Sequence, residues 1–213
     1  MKRLDSQDFI ARLPSSTRGA LLSGIAVLSA TVLLSGINAI TEQRIAKATA
    51  QFRLDSISAV LPPGPFDNNP IDSLKLHTVE SLGGGEALEV YTAYTSGQPR
   101  AAVLELLAPD GYSGNIRLLL GLESDGTIVA ARVIEHRETP GLGDAIDIRR
   151  SQWMAQFTGR SLNENSLTQW QLGQSDTHID AITGATITSR AVLQAIHRAL
   201  QWFEEHHEEL FRQ

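Results

Sequence analysis

Residues 19–61 carry the hydrophobic pattern of helices. Residues 19–40 contain no charged side chain, and at about 1.5 Å per helical residue this stretch can cross a hydrocarbon core of about 30 Å. A helical pattern continues from Thr41 to Leu61, where the run Pro62-Pro63-Gly64-Pro65 stops it. We therefore predict a transmembrane helix followed by a helical stalk.

From Leu88 onward the pattern changes to the alternation that is typical of β-strands. The strand-like runs form two neighbouring hairpins, and each hairpin is closed by a short turn that contains glycine. Adjacent hairpins favour an antiparallel sheet, and the flanking helices make the predicted domain α+β. The runs are 88–94 and 101–107 about Ser96-Gly97-Gln98, and 116–122 and 128–134 about Asp125-Gly126.

Two helices are predicted after the sheet. Apolar residues within 146–157 fit a helix that ends near Gly159. Residues 192–203 carry a second helical pattern, and a run of hydroxyl-bearing and small residues lies directly ahead of it. Either Thr188 or Ser189 is the predicted N-cap of this second helix.

The charges around the apolar stretch predict its orientation. Residues 1–18 contain four basic and two acidic side chains, so the positive-inside rule puts the N-terminus in the cytoplasm and the main domain outside it. The asymmetry is modest, because Arg44, Lys47 and Arg53 follow the span. A cleaved signal peptide is the main alternative, but its apolar core is usually only about 7–15 residues long, which favours an uncleaved anchor.

Composition removes several classes of function. The net charge of -6 does not suggest a nucleic-acid partner. Cysteine is absent, so the chain has neither disulfides nor thiolate ligands for an iron–sulfur cluster. The six histidines lack ligand-like spacing, and no metal site is predicted. Any redox chemistry must therefore use a bound cofactor. The triplet Gly83-Gly84-Gly85 lacks the continuation of a phosphate-binding loop, and we interpret it as a plain loop.

The stretch 180–189 carries the strongest candidate chemistry. Backbone N–H groups and a partial positive charge at a helix start suit a phosphate. Gly184 and Ala185 would let such a ligand approach, Thr186 has a hydroxyl that can be esterified, and Asp180 could orient a cation or a proton. The same residues would also serve as a simple turn that caps the helix.

Three runs of the chain resemble the FMN-binding domain family. They are 108–114, 136–144 and 180–186, and the last is similar to the family's flavinylation motif, in which the final Thr is joined to FMN by a phosphodiester. Together with the N-terminal anchor, these runs resemble the family of G subunits of the Rnf/Rsx electron transport complex. The C subunits of sodium-translocating NADH:quinone reductases are relatives of that family. The resemblance covers about residues 15–205.

The resemblance implies an inner-membrane flavoprotein whose FMN relays electrons in a translocase that couples ferredoxin and NADH to ion movement. It implies that a separate flavin transferase installs the FMN, and that the FMN phosphoryl group makes the chain a phosphoprotein. The implied site comprises Thr186 as the covalent attachment point, Asp180, Thr183, Gly184, Ala185 and Thr188 in the motif, Glu138, Thr139, Gly141, Leu142 and Gly143 in a loop facing the ring, and Tyr112 and Ser113 in a further wall.

The implied divisions of the chain follow from these assignments. We expect a cytoplasmic N-terminus at 1–18, the transmembrane helix at 19–40, a helical stalk and linker at 41–85, the FMN-binding domain at 86–205 and a polar tail at 206–213.

Other interpretations stay open. The chain could be a stand-alone periplasmic flavin-dependent reductase, or a part of a sodium-translocating NADH:quinone reductase that resembles the C subunits of those enzymes. It could also be an anchored structural module. If a flavin is attached elsewhere than at Thr186, Thr183 or Thr188 is next in line.

Overall fold

The computed structural model describes residues 15–78, 87–162, 170–173 and 179–211. These residues form two compact units, Met1–Phe52 and Arg53–Gln213. Most of the basic N-terminal segment and the triplet Gly83-Gly84-Gly85 lie outside the described residues, so the interpretations of these parts stay predictions.

A single long helix, α1, spans Ser15–Ser58. It begins directly after Pro14, and no further proline occurs before Pro62, so nothing in the sequence removes a hydrogen bond from its interior. Its segment Gly19–Asn38 has a mean hydropathy of 2.1 and is long and apolar enough to cross a membrane. The residues of α1 from Arg53 onward belong to the second unit.

The second unit is built on one antiparallel sheet with strands in sequence order. The two predicted hairpins are confirmed, and a third hairpin with the pair Gly111 and Gly114 at its tip joins them into one meander. A short edge strand was not predicted. The strands are β1 Lys75–His77, β2 Leu88–Thr95, β3 Gln98–Gly111, β4 Gly114–Glu123 and β5 Ile128–Glu135.

The C-terminal helix α2, Thr186–Phe211, packs on one face of the sheet. Alternate residues of β3, including Leu104 and Leu106, are buried against the face of α2 that carries Ile196 and Phe203, as the helical spacing predicts. The helix continues to Phe211, into the segment 206–213 that we expected to be a polar tail, and Leu210 is buried in the same core.

The end of the first helix and the turn after it cover the opposite face of the sheet. Ile57 and Val60 are fully buried there among side chains of β2, β3 and β4. The approach is close, because a β-carbon on Gly121 would lie 1.7 Å from the carbonyl oxygen of Val60. The residues around 57–61, which we had placed in the stalk, are therefore part of the domain core.

A polar cluster lies beside the buried apolar residues on this face of the sheet. The guanidinium of Arg53 donates from Nε to the hydroxyl of Tyr91 over 3.1 Å and contacts the carboxylates of Glu89 and Glu105. Burial raises the pKa of Tyr91 to about 12, so this hydroxyl stays protonated at physiological pH. The cluster joins Arg53 to β2 and β3.

The predicted helix over 146–157 is wrong. Two short 3₁₀ helices, Gly143–Ile146 and Trp153–Phe157, occupy this region. Between them, the Asp147 carboxylate accepts the backbone N–H of Arg149 over 2.9 Å, and the hydroxyl of Ser151 donates to the carbonyl of Ala145 over 2.6 Å. Such local bonds compete with the regular helical ladder, which explains the break.

Candidate functional site

The start of α2 lies three or four residues before its predicted position. Its first residue is Thr186, so the N-cap position falls on Ala185. The hydroxyl of Thr188 donates to the carboxylate of Glu138, and the hydroxyl oxygen of Ser189 accepts the N–H of Ile182. Both side chains lie within the first helical turn and are buried. The expectation that one of them is the N-cap is therefore corrected.

A tight turn precedes the helix and depends on a glycine. Gly184 has a φ of +79°, a conformation that residues with a β-carbon rarely adopt. The N–H of Ala185 donates to the carbonyl of Ile182 over 2.9 Å. The N–H of Ile182 in turn donates to the Ser189 hydroxyl oxygen over 2.9 Å, which fixes the turn against the helix.

The beginning of the same motif is held by its backbone. The carbonyl of Asp180 accepts the indole N–H of Trp153 over 2.6 Å, and its N–H donates to the side-chain oxygen of Gln156 over 2.9 Å. The 3₁₀ helix that carries Trp153 and Gln156 thus holds the chain that leads into the turn.

The loop after β5 lies against this turn. A β-carbon on Gly184 would lie 3.1 Å from Cδ2 of Leu142, so the two segments are in close contact. The carbonyl of Thr139 accepts the N–H groups of Leu142 over 3.2 Å and Asp144 over 3.3 Å. The N–H of Gly141 donates to the Asp144 carboxylate over 2.8 Å. These bonds close the loop into a compact wall.

Glu138 links the hairpin tip between β3 and β4 to the first turn of α2. Its side chain is 4% exposed. One carboxylate oxygen accepts the backbone N–H of Ser113 over 3.0 Å, and the other accepts the Thr188 hydroxyl over 2.6 Å. The two donors supply the hydrogen bonds that a buried carboxylate requires.

These segments enclose a cavity of about 450 Å³, which lies within the range of about 300–1,000 Å³ that is usual for cofactor sites. Apolar side chains at its edge are unusually exposed, with Tyr112 at 68%, Leu142 at 46% and Ile187 at 52%. The described lining residues are Tyr112, Glu138, Thr139, Leu142, Gly143, Gly184, Ala185, Thr186, Ile187 and Thr188.

Most of the predicted site residues meet at this cavity. Asp180, Thr183, Gly141 and Ser113 lie outside its lining, although Ser113 supports Glu138 through its backbone N–H. Ile187 lines the cavity without having been predicted. Its position next to Thr186 in the first turn of a helix was the available signal.

The cavity has one polar end and an apolar edge. Since the first intrahelical bond of α2 runs from the N–H of Ser189 to Ala185, the N–H groups of residues 186–188 have no partner within the helix. They offer hydrogen bonds and a partial positive charge to an anion. Thr186 is exposed at this end. The arrangement suits a ligand that carries both a phosphate and a flat apolar ring.

Comparison with known proteins places these observations in a family. Residues 111–201 match the FMN-binding domain family, and this range includes every described residue that lines the cavity. Over 197 residues the chain is 39% identical to the G subunit of the ion-translocating oxidoreductase complex of Pseudomonas aeruginosa, with 92% of each chain covered.

Proteins of the same name in two other bacteria are also similar. The Shewanella oneidensis protein is 38% identical over 202 residues, with 94% of each chain covered. The Vibrio atlanticus protein is 35% identical over 196 residues, which covers 92% of this chain and 94% of the relative. The chain therefore belongs to the family of G subunits of ion-translocating oxidoreductase complexes.

Proposed function

We propose that this chain is the membrane-anchored flavoprotein subunit of an ion-translocating oxidoreductase complex, and that it relays electrons through FMN esterified to Thr186. The observation that carries the proposal is the position of Thr186: its side chain is exposed at the first residue of a helix and lines the cavity within the FMN-binding domain. The resemblance implies an electron path between ferredoxin and NADH. The other redox groups of that path would belong to neighbouring subunits.

The residues of the cavity fit FMN. Unpaired N–H groups of residues 186–188 would hold its phosphate, and the exposed side chains of Tyr112, Leu142 and Ile187 offer apolar contact to its ring. Gly184 leaves the approach to Thr186 free of a side chain. When bound, FMN supplies redox chemistry that the side chains of this protein lack.

Burial separates the three threonines of the motif as candidates for attachment. Thr188 is fully buried and its hydroxyl donates to Glu138 over 2.6 Å, so a transferase could not reach it without opening the site. Thr183 is exposed but lies outside the lining of the cavity. Thr186 combines exposure with a place in the lining, which makes it the preferred nucleophile.

Attachment needs an activated donor and an enzyme. Condensation of a phosphate monoester with an alcohol would release water, and in aqueous solution the equilibrium favours the reverse hydrolysis. A flavin transferase that uses a flavin dinucleotide avoids this problem. The bond from Thr186 Oγ1 to the flavin-side phosphorus would form as the phosphoanhydride bond breaks, the hydroxyl proton would leave, and a nucleoside monophosphate would depart.

The proposed location of the domain outside the cytoplasm gives a reason for a covalent bond between the chain and FMN. The proposed topology has the N-terminus in the cytoplasm, residues 19–40 of α1 in the inner membrane and the FMN-binding domain in the periplasm. A cofactor held only by equilibrium binding is lost by mass action where its free concentration is low. An ester retains it and leaves the ring system available for electron exchange.

Co-expression tests this proposal. The full-length chain is purified in detergent after expression with and without a flavin transferase, and it is then denatured and freed of small molecules. We expect a flavin absorption spectrum that stays with the denatured chain in the first sample and is absent from the second. If neither sample retains a flavin, although the transferase modifies a known substrate in the same cells, the proposed covalent relay is refuted.

A further inference from the structure

The carboxylate of Glu138 is held in place by hydrogen bonds and by close packing. Besides its bonds to Ser113 and Thr188, it has two glycines against it. A β-carbon on Gly111 would lie 2.9 Å from one carboxylate oxygen, and a β-carbon on Gly143 would lie 2.5 Å from the other. Those distances are too short for side-chain carbons, so the two glycines provide the space that the carboxylate occupies.

Both partners of this carboxylate can donate to it. The backbone N–H of Ser113 can only donate, and the Thr188 hydroxyl donates to the other oxygen over 2.6 Å. An ionised carboxylate accepts hydrogen bonds, and each of these two partners can supply one. Among the described residues of the cavity lining, Glu138 alone has an ionisable carboxylate, and none carries a basic side chain.

We propose that Glu138 sets the reduction potential of the flavin, with its fixed negative charge in the cavity wall making the flavin harder to reduce. This inference rests on the proposed function, because it requires a flavin in this cavity. Adding an electron beside a fixed negative charge is opposed by Coulomb repulsion. Glu138 is only 4% exposed, which limits screening of that charge by water and salt.

The expected size of the effect follows from the size of the site. At an effective dielectric constant of about 20, two unit charges change an equilibrium tenfold or more out to a separation of about 12 Å. A cavity of about 450 Å³ is only about 10 Å across, so its occupant lies within this reach of the lining. Removal of the charge should therefore favour the reduced state by at least about tenfold.

The test measures the flavin potential in the Glu138→Gln variant of the full-length chain, loaded by the transferase and purified in detergent. Glutamine can keep both contacts, because its oxygen can accept from Ser113 and its amide can donate to the Thr188 oxygen. Spectroelectrochemical titration should give a higher potential than for the unmodified protein. A tenfold shift in a one-electron equilibrium corresponds to about 59 mV.

Glu135→Gln is the matched control. It changes the net charge equally, but the side chain of Glu135 is 64% exposed, where solvent and salt screen its charge. We expect a shift of less than about twofold for this control. A Glu138→Met variant removes the same charge with a side chain of similar length, and should also raise the potential.

Two results would overturn the inference. One is a potential for the flavin-loaded Glu138 variants that equals that of Glu135→Gln. The other is loss of covalent flavin from both Glu138 variants, because Glu138 would then be needed for folding or attachment instead. Absence of flavin from the unmodified chain under the same conditions would refute the proposed function itself, so the two failures are distinguishable.

Discussion

A Thr186→Ala chain co-expressed with a flavin transferase is expected to carry no covalent flavin. The substitution removes the hydroxyl that would form the ester, and alanine is well tolerated in a helix, so the fold should persist. Fluorescence of the protein band after denaturing electrophoresis measures the result, because only a covalently bound flavin stays with the denatured chain. We expect at least about a hundredfold loss of the signal, comparable to the loss for a missing nucleophile.

Two control variants sharpen this prediction. Thr183→Ala leaves Thr186 in place and should keep the fluorescence. Thr186→Ser keeps a hydroxyl at the same position and should keep at least part of it. Full fluorescence in Thr186→Ala together with its loss in Thr183→Ala would move the attachment to Thr183 and contradict the assignment to Thr186.

Removal of the end of α1 and of the turn after it is expected to unfold the domain that contains the sheet. A chain that begins at Pro62 lacks Ile57, Val60 and Leu61, which are 0%, 0% and 8% exposed. Burial of such side chains contributes roughly 1.5–3 kcal/mol each, so the loss of about 4.5–9 kcal/mol approaches the whole stability of a typical domain. A chain that begins at Arg53 keeps these residues and should melt cooperatively, as circular dichroism can measure.

A point substitution tests the same contact without removing residues 53–61. In the chain that begins at Arg53, Gly121→Ala would put a β-carbon 1.7 Å from the carbonyl oxygen of Val60. Overpacking of this kind costs about 1–3 kcal/mol or more. Glu123→Ala, at an exposed position in the same strand, should change the stability little. Equal melting temperatures for the chains that begin at Arg53 and Pro62 would show that residues 53–61 are not part of the domain.

Periodicity explains why most elements of the fold were predictable. The four longer strands and α2 carry apolar residues at the spacing of their own geometry, and their positions follow from the sequence. The strand β1 was missed because three residues are too few to display an alternation. The pattern at 57–61 indicated a helix, but periodicity does not identify the surface against which a helical face packs.

The sequence predicts the separate segments of the candidate site better than it predicts how these segments are arranged in space. A helix start close to Thr186 can be derived from residue types alone, because hydroxyl-bearing and small residues favour such turns. The meeting of Tyr112, Glu138 and Thr188 depends on tertiary structure, since the separations along the chain carry no sign of it. The contact between Glu138 and Thr188 spans 50 positions, and its donor had been predicted as a helix cap.

Peptide mapping of the mature protein tests the central assignment most directly. Cleavage after arginine releases residues 161–190 as one peptide, which contains Thr183, Thr186 and Thr188. In protein matured with the transferase, this peptide should be heavier by one esterified FMN group, and fragmentation should locate the added mass on Thr186. An unmodified peptide from such protein, or an added mass on a different residue, would contradict the account.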